Sequence, residues 1–180
     1  MPYRQLQHLI DIHLSTKENP AIQDVMDKLS SVRKRGYLTK LQLITVCRWK
    51  SPRAMKHIQN NSERVINKIT RAAFGTRSER KKLALLTTLN GVSIPMASSI
   101  LTLTNPRRYG VIDIRVWQLL YDMGTVTTNP DGVGFSVKHW AHFLTILRSF
   151  ARKYNVGARD IERTLFNVHV LYQKGTLYED

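Results

Sequence analysis

The sequence predicts an all-α fold, and three observations carry that expectation. Apolar residues recur at helical spacing in one segment after another. Ser, Thr or Pro opens several of these segments and Gly closes others, as helix caps do. The turns between them are short, and a hydrophobic fraction of 42% supplies a sizeable core. At 180 residues the chain suits one globular domain, or two small lobes sharing a core.

A helix over 3–14 carries Leu6, Ile10 and Leu14 on one face. Pro20 opens a second, with Ile22, Val25, Met26 and Leu29 inward, that ends in Arg33-Lys34-Arg35 and stops at Gly36. Thr39 caps a third, which buries Leu41, Ile44 and Val46 or their neighbours before Trp49. Ser51-Pro52 is a cap and a first-turn proline for a helix to about residue 59. Asn60-Asn61 turns the chain, and Ser62-Glu63 starts a helix through Phe74 to a stop at Gly75.

Residues 77–89 form the first helix of a hairpin, joined by Asn90-Gly91-Val92-Ser93 to a second over 94–103. Pro106 breaks the chain, Val111 and Ile112 make a short apolar run, and Asp113 heads a helix. That helix carries Val116, Leu119 and Leu120 to Gly124, and 125–135 form the one long loop. Residues 137–154 are the cleanest amphipath, with Val137, Trp140, Leu144, Leu147, Ala151 and Tyr154 on one face. The last helix, over about 159–173, buries Ile161, Leu165, Val168 and Tyr172.

Charge points to the class of partner. Twenty-eight Lys and Arg against thirteen Asp and Glu give +15 and a pI near 10.3. Such a balance favours a polyanion, because neutralising phosphates gives salt-dependent affinity. No single basic amphipathic helix dominates, so nucleic acid is preferred to a membrane surface. No apolar run is long enough to span a bilayer, and Met1-Pro2-Tyr3-Arg4-Gln5 lacks the layout of a signal peptide. One cysteine, Cys47, excludes an internal disulfide, a thiolate zinc site or an iron–sulfur cluster, and suggests an intracellular protein. His139 and His142, with His169 distant, read as solvated or core-capping rather than as metal ligands. The loop at Asp131-Gly132-Val133-Gly134 lacks the context of a phosphate-binding P-loop and reads as a connector.

The hairpin has the sharpest signature. Gly91 lets the backbone turn tightly and approach a partner without a Cβ in the way. The amides from Ser93 onward, through Met96 and Ala97, head a helix and suit a phosphate oxygen. Lys81, Lys82, Arg107 and Arg108 flank the hairpin in sequence, as phosphate ligands would. An ordinary αα-hairpin with a glycine turn has the same spacing.

Leu89-Asn90-Gly91-Val92-Ser93, then Ala97, then Val111-Ile112-Asp113 resembles the helix-hairpin-helix superfamily of base-excision DNA glycosylases. The likeness is closest over 77–117 and looser in the flanking helices. It implies a compact helical bundle of two lobes with the active-site cleft between them. One lobe spans 37–123 with the hairpin at 77–103; the other joins 1–36 to 136–180. It implies that Asp113 is catalytic, that no cofactor is needed beyond a monovalent cation at the hairpin, and that the partner is duplex DNA. A bacterial, cytoplasmic, nucleoid-associated monomer is the expected setting, in repair or in defence against phage DNA with modified bases.

The departures from the pattern are informative. Pro95 stands where strand-cutting members place a Schiff-base lysine, and proline forms no imine, so hydrolysis without strand cleavage is implied. Ser93 replaces a glycine of the turn, and Ile114-Arg115 replaces a more usual Thr-His.

A carboxylate at Asp113 suits the reaction, because breaking the N-glycosidic bond builds positive charge on the sugar. At a helix N-terminus it is held ionised, and it also serves as an N-cap. Trp49 is a candidate to stack on the base or fill the gap it leaves, with Lys50 and Arg53 reaching phosphates. Trp117, four residues after Asp113, is placed on the same face, and Arg115 contacts DNA or a structural acid. Two other readings stay open: a noncatalytic helix-hairpin-helix module that docks nucleic acid, and a structural RNA-binding protein.

Overall fold

The computed structural model describes Tyr3 and residues 5–172, and every regular element among them is helical. Leu6–His13 (α1) buries Leu6, Leu9 and Ile10. Pro20–Lys28 (α2) starts at its proline, with the Asn19 side chain accepting the Ala21 amide at 2.8 Å. Expected to run to Arg35, this helix instead stops at Lys28, and Val32–Arg35 (α3) forms a separate turn. The Ser30 hydroxyl donates to the Asp27 carbonyl, occupying an acceptor near the end of the helix. Both Leu29 and Val32 thereby reach the core.

Lys40–Lys50 (α4) begins with a capping box in which Thr39 and Gln42 satisfy each other's backbone amides. Leu43, Val46 and Cys47 take its inward face, whereas Leu41, expected inside, is 72% exposed. Ser51 does not cap through its side chain; its carbonyl closes a 3-10 turn at Pro52–Ala54 before Met55–Gln59 (α5). Glu63–Gly75 (α6) and Glu79–Leu86 (α7) come next, capped by Ser62 and Ser78. The α7 helix is shorter than expected, because the Thr87 and Thr88 hydroxyls take the Ala84 and Leu85 carbonyls. Ile94–Thr104 (α8), Ile114–Asp122 (α9), Val137–Tyr154 (α10) and Ala158–Tyr172 (α11) complete the chain. Gln173, the expected end of the last helix, lies outside the described residues.

One continuous apolar cluster runs from Leu6 to Val168. The α8 helix lies inside it, buried at every position from Met96 to Thr104. Its hydroxyls are satisfied internally: Ser99, Thr102 and Thr104 donate to the Pro95, Ser98 and Ile100 carbonyls. Trp117, Trp140 and Phe143 are fully enclosed, each burial contributing roughly 1.5–3 kcal/mol.

The segment between α8 and α9 is pinned to α8 and α11 along its length. The Pro106 and Arg107 carbonyls accept the Arg159 and Ala158 amides at 3.0 Å each, satisfying donors at the start of α11. Gly110 passes where a Cβ would stand 2.4 Å from a Leu147 methyl and 2.8 Å from Glu162 Cβ, so no larger residue fits. The Val111 amide donates to Glu162 at 3.3 Å and the Ile112 amide to Ser98 at 3.1 Å. Extended backbone is thus carried through the interior with its groups paired, and it delivers Asp113 to the head of α9.

Candidate active site

Asp113 is the N-cap of α9, with its Oδ1 accepting the Arg115 amide at 3.0 Å. Its Oδ2 meets Lys50 Nζ at 2.5 Å, an ion pair with side chains 18% and 13% exposed. Lys50 is the last residue of α4, so this contact ties α4 to the start of α9 across 63 positions of sequence. The cap leaves the carboxylate with one oxygen committed to backbone and one facing an amine.

The pair stands between two cavities and lines both. The larger, about 670 Å³, has aromatic walls at Trp49 and Phe166 and polar atoms at Asn19 and Asn167. That volume lies within the range of small-molecule sites. The smaller, about 400 Å³, is bounded by Ser93, Pro95, Arg53 and the loop at 132–135. The N-terminus of α8 therefore opens onto the same space as Asp113.

Charge lines the deep end of the larger cavity. Arg159 Nε and Arg163 Nη1 meet Glu18 Oε2 at 2.8 and 2.9 Å. Arg163 also reaches Asp160 and the Ser15 carbonyl, at 2.6 Å each, and Arg159 pairs with the buried Glu162. Burial raises the Glu18 pKa, but its bonds to Arg159 and Asn19 and the Arg163 charge outweigh that and leave it below its ordinary value. At Glu162, enclosed completely, burial wins and pushes the carboxyl up against the pull of Arg159 and the Val111 amide.

The expected site residues divide into two groups. Asp113, Lys50, Trp49, Arg115, Ser93 and Arg53 are brought together around the two cavities. Arg115 places its guanidinium carbon 5.8 Å from the Phe166 ring centre, with Nη1 buried and unbonded.

The others need correction. Trp117 does not face the cleft: it is fully buried, and its indole N–H donates to the Thr128 and Asn129 carbonyls. The four-residue spacing misleads because Asp113, at φ −142°, is outside the helical register that α9 adopts. Gly91 has φ +78°, as a tight turn needs, but the close neighbour is α5. A Cβ there would lie 2.9 Å from His57 Cβ, so the bare backbone serves internal packing. Met96 and Ala97 are buried, and Ser93 takes both their amides, through Oγ at 3.4 Å and its carbonyl at 2.8 Å. Pro95 has no N–H, which leaves the amides of Ser93 and Ile94 at this end of α8.

Lys81, Lys82, Arg107 and Arg108 gather at the end of the hairpin remote from its turn. An antiparallel hairpin brings its two sequence ends together, and the 11 residues of α8 separate them from the turn by about 16 Å. Lys82 is buried and donates to the Thr76 carbonyl. Arg108 is held by Glu79 at 2.8 Å, beside Arg148 at 2.9 Å. These two side chains brace the fold.

Sequence reading missed Glu18, Arg159, Glu162, Arg163 and Phe166. A signal existed: Arg159, Glu162, Arg163 and Phe166 recur at three- and four-residue spacing on a helix, a charged stripe facing inward. Among the described residues no group of three or more His, Cys, Asp or Glu is arranged to hold a metal ion, and no helix could cross a membrane. His139 instead accepts the Ser136 amide in a capping box and packs on Trp117. Neither models of known families, nor curated proteins, nor solved structures match this chain.

Proposed function

We propose that the protein is a DNA glycosylase of helix-hairpin-helix type, which extrudes a damaged or modified base and hydrolyses its N-glycosidic bond with Asp113. The observation that carries this reading is the position of Asp113: a capped carboxylate at the junction of a roomy aromatic-walled cavity and a groove headed by α8. A base turned out of the duplex enters the larger cavity between Trp49 and Phe166. The phosphates on either side lie along the smaller cavity, against the Ser93 and Ile94 amides and Arg53. Asp113 then faces the sugar, where it stabilises the developing cation and orients water.

In this reading α7 and α8 are the helix-hairpin-helix element, and the cleft divides a lobe at 37–123 from one made by 1–36 and 136–180. A net charge of +15 suits a duplex partner, and the protein acts as a bacterial, cytoplasmic, nucleoid-associated monomer. A monovalent cation at the hairpin turn is the one ion it requires. The hairpin itself offers no imine-forming amine, because Pro95 occupies the position.

Trp49 becomes a wall of the base pocket, and the gap left in the duplex is filled by Val133. Val133 is 56% exposed at the rim of the smaller cavity, on a loop braced from within. Trp117 holds Thr128 and Asn129, Asn129 Nδ2 donates to the Val133 carbonyl at 2.9 Å, and Gln118 donates to that of Asp131 at 3.1 Å. An aliphatic side chain on a stiff loop is what wedging between bases requires.

Mass spectrometry of bases released from duplexes carrying oxidised, alkylated or glucosylated hydroxymethylcytosine residues tests the reading. Release of one of them supports the enzyme. Tight duplex binding with no release of any base supports the noncatalytic module instead.

A further inference from the structure

We propose that the Lys50 amine forms an imine with the abasic product and cuts the DNA strand beside the site just emptied. This rests on the glycosylase reading above, and it adds an activity that the hairpin alone denies. Pro95 removes an amine from α8, but α4 brings another to the same carboxylate from 63 positions away.

Two features favour a chemical role over a plain ion pair. An ammonium 2.5 Å from Asp113 offsets the negative charge that hydrolysis alone would use to stabilise a sugar cation. A permanent structural pairing with a carboxylate is also better served by arginine, whose planar fork grips both oxygens, whereas a lysine amine can lose its proton and attack a carbonyl. Lys50 lines both cavities, so its amine borders the spaces assigned to the base and to the backbone.

The step balances without any co-reactant. Hydrolysis leaves C1′ of the deoxyribose as a hemiacetal in equilibrium with an open-chain aldehyde. Asp113 takes one proton from the Lys50 ammonium, and the neutral amine attacks C1′. The resulting hydroxyl leaves as water, using that proton and one from the nitrogen for the aldehyde oxygen, and an iminium remains. Asp113, again a carboxylate, removes a C2′ proton. A C2′–C3′ double bond forms as the C3′–O bond breaks, and the phosphate departs on the downstream strand. Water then hydrolyses the iminium, freeing Lys50 and a 3′ unsaturated aldehyde.

The test uses a duplex with one preformed abasic site, made by removing a uracil, incubated with the protein and sodium borohydride. The expected result is a covalent protein–DNA adduct whose peptide mapping places it on Lys50. Lys50→Arg, which keeps the charge, should bind the abasic duplex and lose the adduct. Wild-type protein that binds the duplex without forming an adduct overturns the proposal. So does an adduct that maps elsewhere or survives in Lys50→Arg. Mapping on the wild type decides the matter even if the variant folds poorly. Because the abasic site is supplied, base release without an adduct sinks only this proposal, and a Lys50 adduct without base release sinks only the glycosylase.

Discussion

Glu162, 2% exposed, accepts the amide of Val111 at 3.3 Å, two residues before Asp113. A carboxyl buried on α11 thus sets where the carboxylate on α9 stands. Gly110 permits the approach, since a Cβ would collide with Glu162 Cβ at 2.8 Å. The interior of the last helix and the head of the ninth are one mechanical unit.

Glu162→Ala should be among the most damaging single changes outside the cleft. It leaves Arg159 buried beside an empty site and Val111 without an acceptor. Removing one member of a buried pair costs about 3–5 kcal/mol, or roughly 6–20 °C in melting temperature for a chain this size. Calorimetry on the variant checks this, and an unchanged melting point would remove Glu162 from the account.

Gly91→Ala tests what the glycine of the hairpin is for. Its φ of +78° and the 2.9 Å contact with His57 Cβ both penalise a methyl group. The expected loss is about 1–3 kcal/mol of stability, seen in thermal melts of the free protein. Were the glycine there to admit phosphate, the free protein would melt normally and only its affinity for DNA would fall.

Val133→Ala should leave the melting point unchanged, since the side chain is exposed. Base release from duplex DNA should slow, while release from a single strand, which has no gap to fill, stays as it was. Equal slowing on both substrates would assign Val133 to something other than the wedge.

Acid should weaken the fold in two stages. His169 lies below its ordinary 6.5, because burial and then the Arg115 charge disfavour its protonated form. The unfolded chain therefore takes up that proton first, and stability declines as pH falls below 6.5. Glu18 and Glu79 lie below their ordinary 4.5: burial raises each, but guanidinium partners and other bonds outweigh it. Their stabilisation is complete above 4.5 and is lost as pH falls through the folded values. Melting curves across this range should bend twice, and His169→Gln should remove the upper bend.

Local chemistry was legible in the sequence, and distant placement was not. The α10 helix has the bounds 137–154 that its apolar period predicts, and Asp113 caps α9 as its position implies. Leu41 went outward because periodicity alone does not say which of two faces meets the core. The meeting of Lys50 with Asp113, and of Glu18 with Arg163 across 145 positions, depends on how helices pack. Spacing along the chain holds no trace of either contact. The basic residues around the hairpin misled for the same reason, since neighbours of the turn in sequence lie at its opposite end in space.

The role of Asp113 is tested most directly by Asp113→Asn in single-turnover base release from a duplex that the wild-type protein processes. Asparagine caps a helix as well as aspartate does, so the variant should fold and bind DNA. The account predicts a rate at least about 10²–10³-fold lower, as expected when a group stabilising transition-state charge is removed. Base release at the wild-type rate would contradict it.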